Sequence, residues 1–146
     1  MERLSNNFSL EELTHSETAT RKGLDNTPDA ETVANLTELA LALESVRGLL
    51  GCPLHISSGY RSPKVNAAVG GSSSSAHCRG MAADFTAPQF GSPQEICQEI
   101  ADSPLQFDQL IFEGTWAHYS IDPRMRRQVM TAHFVGGRVS YAQGIG

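Results

Sequence analysis

Cysteine is scarce in this chain: Cys52, Cys78 and Cys97 are the only three, widely spaced and without a C-x-x-C pair. An odd, scattered set argues against a secreted disulfide framework, which uses an even number, and predicts idle thiols in a reducing compartment. Positive charge is also short. Eleven Lys and Arg stand against sixteen Asp and Glu, a formal net charge of −5, and the only basic cluster is Arg124, Arg126 and Arg127. A nucleic-acid binder displaces counterions with a basic face, so nucleic acid is not an expected partner. Long hydrophobic runs are missing too. No stretch approaches the ~20 apolar residues of a membrane helix, so no stable membrane association is expected. The opening Met1-Glu2-Arg3-Leu4-Ser5-Asn6-Asn7 has no apolar core of a signal peptide. The expectation is a protein made in the cytoplasm without a secretory leader.

What is present suffices for a core. With 146 residues, 40% of them hydrophobic, the chain is expected to form one domain over residues 1–146, a monomer, without disulfide staples. Ser9 and Glu12 form a capping box, and Phe8 and Leu13 a hydrophobic staple across it, predicting a helix from Leu10 to about His15. Ser16 caps a second turn that Gly23 stops. Thr27-Pro28 predicts the start of the main helix. Val33, Leu36, Ala40, Leu43 and Val46 then share one face, Leu39 and Leu50 widen it, and Gly51 and Pro53 end it.

Leu54 to Ser58 reads as a strand, and Ser62-Pro63 opens a short helix through Val69. Gly70 to Ser75 has the composition of a linker. Division there would leave two halves of roughly 70 residues with marginal cores, so it is read as a loop lying over something within one domain. Met81 to Thr86 is the next strand. Ser92-Pro93-Gln94-Glu95 caps a helix over Pro93 to Ala101. Phe107 to Glu113 and Trp116 to Ile121 are strands joined at Gly114-Thr115, and Val129 to Val135 with Arg138 to Tyr141 form a terminal hairpin. Helices first and strands later predict an α+β domain, a mostly antiparallel central sheet with helices packed on it.

Five histidines are available for chemistry. His15 ends a capped helix and suits its C-terminal dipole, His55 faces solvent from a strand, and His133 sits in the last hairpin, where a surface or supporting role is expected. His77, Asp84 and His118 differ. His77 sits at the mouth of the serine loop, and Asp84 lies on the strand that loop feeds. Gly80 between them lets the chain turn so that imidazole and carboxylate converge. His118 comes from a later strand. Two imidazoles and one carboxylate match a catalytic zinc site, three protein ligands and one open position. Spacing alone leaves another reading open, in which Asp84 caps a turn and His77 is a surface loop residue.

Ser75-Ala76-His77-Cys78-Arg79-Gly80-Met81-Ala82-Ala83-Asp84 resembles the S-x-H-x-x-G-x-A-x-D signature of the D-Ala-D-Ala carboxypeptidase-type zinc peptidases, which share a fold with hedgehog signalling domains. Ser58-Gly59-Tyr60-Arg61-Ser62 resembles their S-G-Y-R-S segment, and Trp116-Ala117-His118 their W-x-H motif. Phe8 to Leu13 and Asp25 to Pro28 resemble a phage and prophage branch. The resemblance covers nearly the whole chain. It implies Zn2+ held by His77, Asp84 and His118, and a carboxylate to shuttle protons. Glu113 is the candidate for that role, with Asp122 in reserve. Relatives often carry the acid three positions before the last histidine, where this chain has Thr115. Arg61 matches an arginine that grips a substrate carboxylate through paired charge-assisted bonds; a surface arginine at a helix start is the alternative. Ser75 either binds substrate or orients its loop, and Trp116 either walls the pocket or packs in the core.

The implied function is a zinc peptidase cutting amide bonds in peptidoglycan stem peptides, as a phage or prophage endolysin reaching the wall after release. Two other readings are a virion- or tail-associated structural protein retaining the fold, and a non-catalytic zinc-binding interaction module. Endopeptidase and carboxypeptidase action both remain open.

Overall fold

A computed structural model describes residues 2–146. The chain begins with two capped turns, α1 (Leu10–Thr14) and α2 (Glu17–Lys22). Ser9 Oγ accepts the Glu12 N–H, and Phe8 and Leu13 are both buried. Ser16 Oγ accepts the Ala19 N–H, and Gly23 closes α2 in the left-handed region at φ 64°.

The main helix, α3 (Ala30–Leu50), starts later than the Thr27-Pro28 signal implied. Asp29 is its cap, with Oδ1 accepting the Thr32 N–H at 2.8 Å. The Thr27 N–H instead donates to Asp25 Oδ1, so Thr27-Pro28 belongs to a turn ahead of the helix. Leu36, Leu39, Ala40, Leu43, Val46 and Leu50 are buried as the periodicity requires, and Val33 lies half-buried at the edge of the stripe. Each fully buried leucine contributes about 1.5–3 kcal/mol.

Next come β1 (His55–Ser58), α4 (Pro63–Ala68), a 3-10 turn (Ala76–Arg79), β2 (Ala82–Thr86) and α5 (Pro93–Ala101). Four strands complete the chain: β3 (Gln109–Phe112), β4 (Ala117–Ser120), β5 (Gln128–Val135) and β6 (Arg138–Gln143). The six strands form one sheet in the order β1-β2-β4-β3-β5-β6. The sheet is mixed, which corrects the mostly antiparallel expectation: β3 and β5 run parallel. The cause is the connection after β4. It crosses the start of β3 and delivers β5 to the far side of that strand. The Arg127 and Gln128 N–H groups donate to the Phe107 and Asp108 carbonyls at 2.9 and 2.8 Å, and the buried Asp108 carboxylate accepts from Arg126 Nε at 2.8 Å.

Alternation along the central strands gives the sheet two unlike faces. Ala83 and Phe85 of β2, Ala117 and Tyr119 of β4 and Leu110 of β3 meet α3 and α5 in the hydrophobic core. Asp84, His118, Ser120 and Ile111 alternate with them and point the other way, yet all are buried. Polar side chains buried on the face away from the helices need partners there, and that face carries the candidate site. Cys52 and Cys97 are buried and free, and burial with the nearby Glu113 charge pushes the Cys97 thiol up to about 12. Among the described residues, no helix is long and apolar enough to cross a membrane.

Candidate metal centre

Two strands of the sheet and one turn bring the three ligand candidates together. Asp84 on β2 and His118 on β4 are direct cross-strand partners, so their side chains share a face. His118 Nδ1 lies 2.9 Å from Asp84 Oδ1. His77 comes from the 3-10 turn, and its Nε2 lies 3.3 Å from the same carboxylate oxygen. The imidazole rings meet edge to face, with centroids 5.2 Å apart. The three are 2%, 6% and 8% exposed. One ligand atom from each falls within 4.8 Å of the others, the one such cluster among the described residues.

The His77 turn is fixed at both ends. Ser75 Oγ accepts the His77 N–H at 3.2 Å. Gly80 closes the turn at φ 71°, and a Cβ there would press on Leu36 and Thr32 of α3. Both demands call for glycine. A strap from the segment after β1 sets the ring. His77 Nδ1 meets the Gly59 carbonyl at 2.7 Å, and the Arg61 N–H donates to the His77 carbonyl at 3.1 Å. With Nδ1 bound to a carbonyl, His77 keeps Nε2 as its lone-pair donor, the usual orientation of a metal-binding histidine. The strap is itself anchored. The Tyr60 N–H donates to the Leu13 carbonyl at 2.7 Å, and Asn26 bonds the Tyr60 carbonyl and the Ser62 N–H.

The electrostatics suit a cation. Burial raises the Asp84 pKa, but the two imidazoles outweigh it and hold the carboxyl well below the usual range. Burial opposes charge on His118, but the Asp84 and Glu113 carboxylates prevail and raise its pKa. Two imidazole nitrogens and one carboxylate oxygen, all buried and facing a cavity, fit zinc with a position left open.

That cavity has a volume of about 690 Å3 and is bordered by all three ligand candidates together with Arg61, Ser75, Glu113 and Trp116. Glu113 follows β3, and its N–H donates to the Trp116 carbonyl across the turn, which carries its carboxylate to 3.8 Å from His118 Nδ1. Burial first, and the Asp84 charge second, raise the Glu113 pKa; His118, the nearby Trp116 indole N–H and Arg61 oppose that rise. The Arg61 Nε atom is buried without a hydrogen-bond partner, so it is free to serve a bound molecule. Ser75 sits at the cavity edge with its hydroxyl engaged in capping the turn. The serine loop covers the same cavity through Ser72 and Ser74.

Asp122 takes no part. Its carboxylate is held by Arg79 at 2.7 Å and by Arg124 at 2.9 Å, hydrogen bonds that push its pKa far down, and it borders a separate depression. His15, His55 and His133 are exposed and outside the cluster. Gly59 and Asn26 are positioning residues that sequence reasoning did not single out. Only the segments around them, Ser58 to Ser62 and Asp25 to Pro28, marked their neighbourhood.

A family model described as Peptidase M15 matches residues 6–118, the stretch that runs from the turn before α1 to the last ligand candidate. No curated protein matches the chain.

Proposed function

The chain belongs to the peptidase M15 family, zinc peptidases of the D-Ala-D-Ala carboxypeptidase superfamily, and from that premise we propose that it hydrolyses amide bonds in peptidoglycan stem peptides as a phage or prophage endolysin. Zinc is its cofactor. The observation that carries the reading is a buried His77–Asp84–His118 cluster at a cavity that also holds Glu113, 3.8 Å from His118. A module that binds zinc only for its structure needs neither an open cavity nor a half-buried carboxylate beside a ligand.

His77, Asp84 and His118 would hold the metal. The chemistry a zinc ion would supply there is polarisation of an amide carbonyl and a water pKa lowered towards about 7. Glu113 accepts the proton of the attacking water on its carboxylate and returns it to the leaving amine nitrogen. Its raised pKa suits both halves of that exchange. Arg61 receives a substrate carboxylate on its guanidinium, a planar donor pair that a carboxylate matches. The protein is made in the cytoplasm and acts at the wall after release.

The test incubates the zinc-loaded protein with purified peptidoglycan and identifies released fragments by mass spectrometry. New amino and carboxyl termini within the stem peptide, abolished by a chelator and restored by zinc, are expected. Undigested wall in the presence of zinc would refute the activity.

A further inference from the structure

The face that carries the metal ligands does not stop at β3. Asp84 pairs with His118, His118 with Ile111, Ile111 with Met130 and Met130 with Gln143. Directly opposed residues share a face, as do residues two apart on one strand. One step along the hairpin from Met130 and Gln143 is the pair Ala132 and Tyr141, and the next is Phe134 and Val139. Tyr141, Phe134 and Val139 therefore stand on the metal face.

All three border the cavity that holds Glu113 and His118, and they are 54%, 61% and 46% exposed. Clustered, exposed apolar side chains on a soluble surface mark something that binds there. The hairpin lies beyond residue 118, where the family match ends. Strand order sets the polarity of the cleft. Arg61 follows β1 at one edge, β2 and β4 with the ligands lie between, and β5 and β6 form the other edge.

We propose that the β5–β6 hairpin is the specificity wall of this peptidase, with Phe134, Val139 and Tyr141 receiving an apolar side chain of the substrate across the scissile amide from the carboxylate that Arg61 holds. The inference rests on the peptidase reading and adds to it the chemistry of the substrate: a carboxylate on one side of the cut bond and an aliphatic group on the other. Burial and the Glu113 charge both raise the Tyr141 pKa, which puts this wall within electrostatic reach of the proton shuttle.

The test separates binding from cleavage. Acetylated peptides with a free carboxylate on one side of the scissile amide and either leucine or glycine on the other, made in L and D series, are titrated calorimetrically into zinc-loaded Glu113→Gln protein. In one series the leucine peptide should bind at least about tenfold tighter, the scale of apolar discrimination in a pocket. In a Glu113→Gln background with Phe134→Ser and Val139→Ser, that ratio should fall towards one. Both residues are exposed, so the fold is kept, which a melting curve checks. Equal binding of the two peptides, no binding of either, or a ratio untouched by the serine substitutions overturns the proposal. So does a wild-type dimer that the serine substitutions turn into monomer, which would assign the face to a second copy. A leucine preference of this kind, alongside intact peptidoglycan in the digestion experiment, would instead fault peptidoglycan as the substrate of this peptidase and leave the wall standing.

Discussion

Adding one methyl group at Gly59 should disable a metal site whose ligands it does not touch. Gly59 supplies the carbonyl that meets His77 Nδ1 at 2.7 Å. A Cβ built there would run into the Leu13 carbonyl, with the Leu13 carbonyl carbon and Cα only 3.0 and 3.1 Å away. These are backbone atoms of a short helix whose buried side chain is part of the core, and Leu13 also accepts the Tyr60 N–H. The strap must move away from α1, and its carbonyl moves with it. Overpacking of this kind costs about 1–3 kcal/mol. Loss of the bond that orients a ligand histidine weakens metal binding roughly 10–100-fold, which is about 1.4–2.7 kcal/mol.

The assay for Gly59→Ala has two parts, zinc affinity by competition with a chromogenic chelator and thermal melting of the metal-free protein. A fall in Tm of several degrees is expected, together with zinc binding at least tenfold weaker. Gly48→Ala is the control. That glycine lies inside α3 with nothing near its missing Cβ, so alanine should stabilise by about 0.5–1 kcal/mol through helix propensity alone. A Gly59→Ala protein with unchanged melting and unchanged zinc affinity would refute the claim that the strap sets His77.

Glu113→Gln should retain stoichiometric zinc and fold while losing about 10²–10⁴-fold in kcat, the range for a general acid–base group; near-normal turnover would remove Glu113 from the proton path. Arg61→Lys should lower kcat/KM roughly tenfold to over a hundredfold on a substrate with a free carboxylate, and amidating that carboxylate should harm the wild type far more than the variant. Asp108 is held below its usual pKa first by the Arg126 hydrogen bonds, against burial, so its stabilisation is complete above the unfolded carboxylate value of about 4 and disappears as the pH falls through the lower folded value. Asp108→Asn should therefore cost about 1.5–3 kcal/mol near neutral pH and flatten the acid limb of a denaturant-melting series; a loss that persists undiminished at acid pH would contradict that sign.

Local signals survived into the structure wherever a short-range rule decided the outcome. The serines at 9, 16, 62 and 92 all cap helices, because a hydroxyl three residues from an orphan N–H needs nothing distant to act. The α3 stripe was legible for the same reason. The signal at Thr27-Pro28 failed because two caps competed two residues apart. Asp29 won with a carboxylate on the Thr32 N–H, while Asp25 drew the Thr27 N–H into a turn. The parallel β3–β5 pair was not legible at all. It depends on where a seven-residue connection lands, and that is decided by Arg126 and Arg127 finding partners in the segment from Ala101 to Asp108.

The candidate site divides along the same line. His77, Asp84 and His118 drew attention as residue types that bind metal, and the resemblance to the zinc peptidases brought in Arg61 and Glu113. Their convergence depends on residues without such chemistry. Gly59 acts through a carbonyl that every residue has, and what distinguishes it is the absence of room above it. Asn26 reads as an ordinary turn residue until its amide is found bonding the backbone on both sides of Arg61. Asp122 was drawn into consideration by its distance from His118 along the chain, four positions. On a strand an even offset returns a side chain to the same face only while the strand lasts, and β4 ends at Ser120. Past that point the chain turns, and the Asp122 carboxylate is taken by Arg79 and Arg124. Glu113, five positions before His118, reaches the metal face because the intervening residues make a hairpin, whose closure brings the end of one strand beside the start of the next. What places this carboxylate beside His118 is therefore the turn that precedes β4, and the count of residues to the histidine matters less than which strand end the carboxylate occupies.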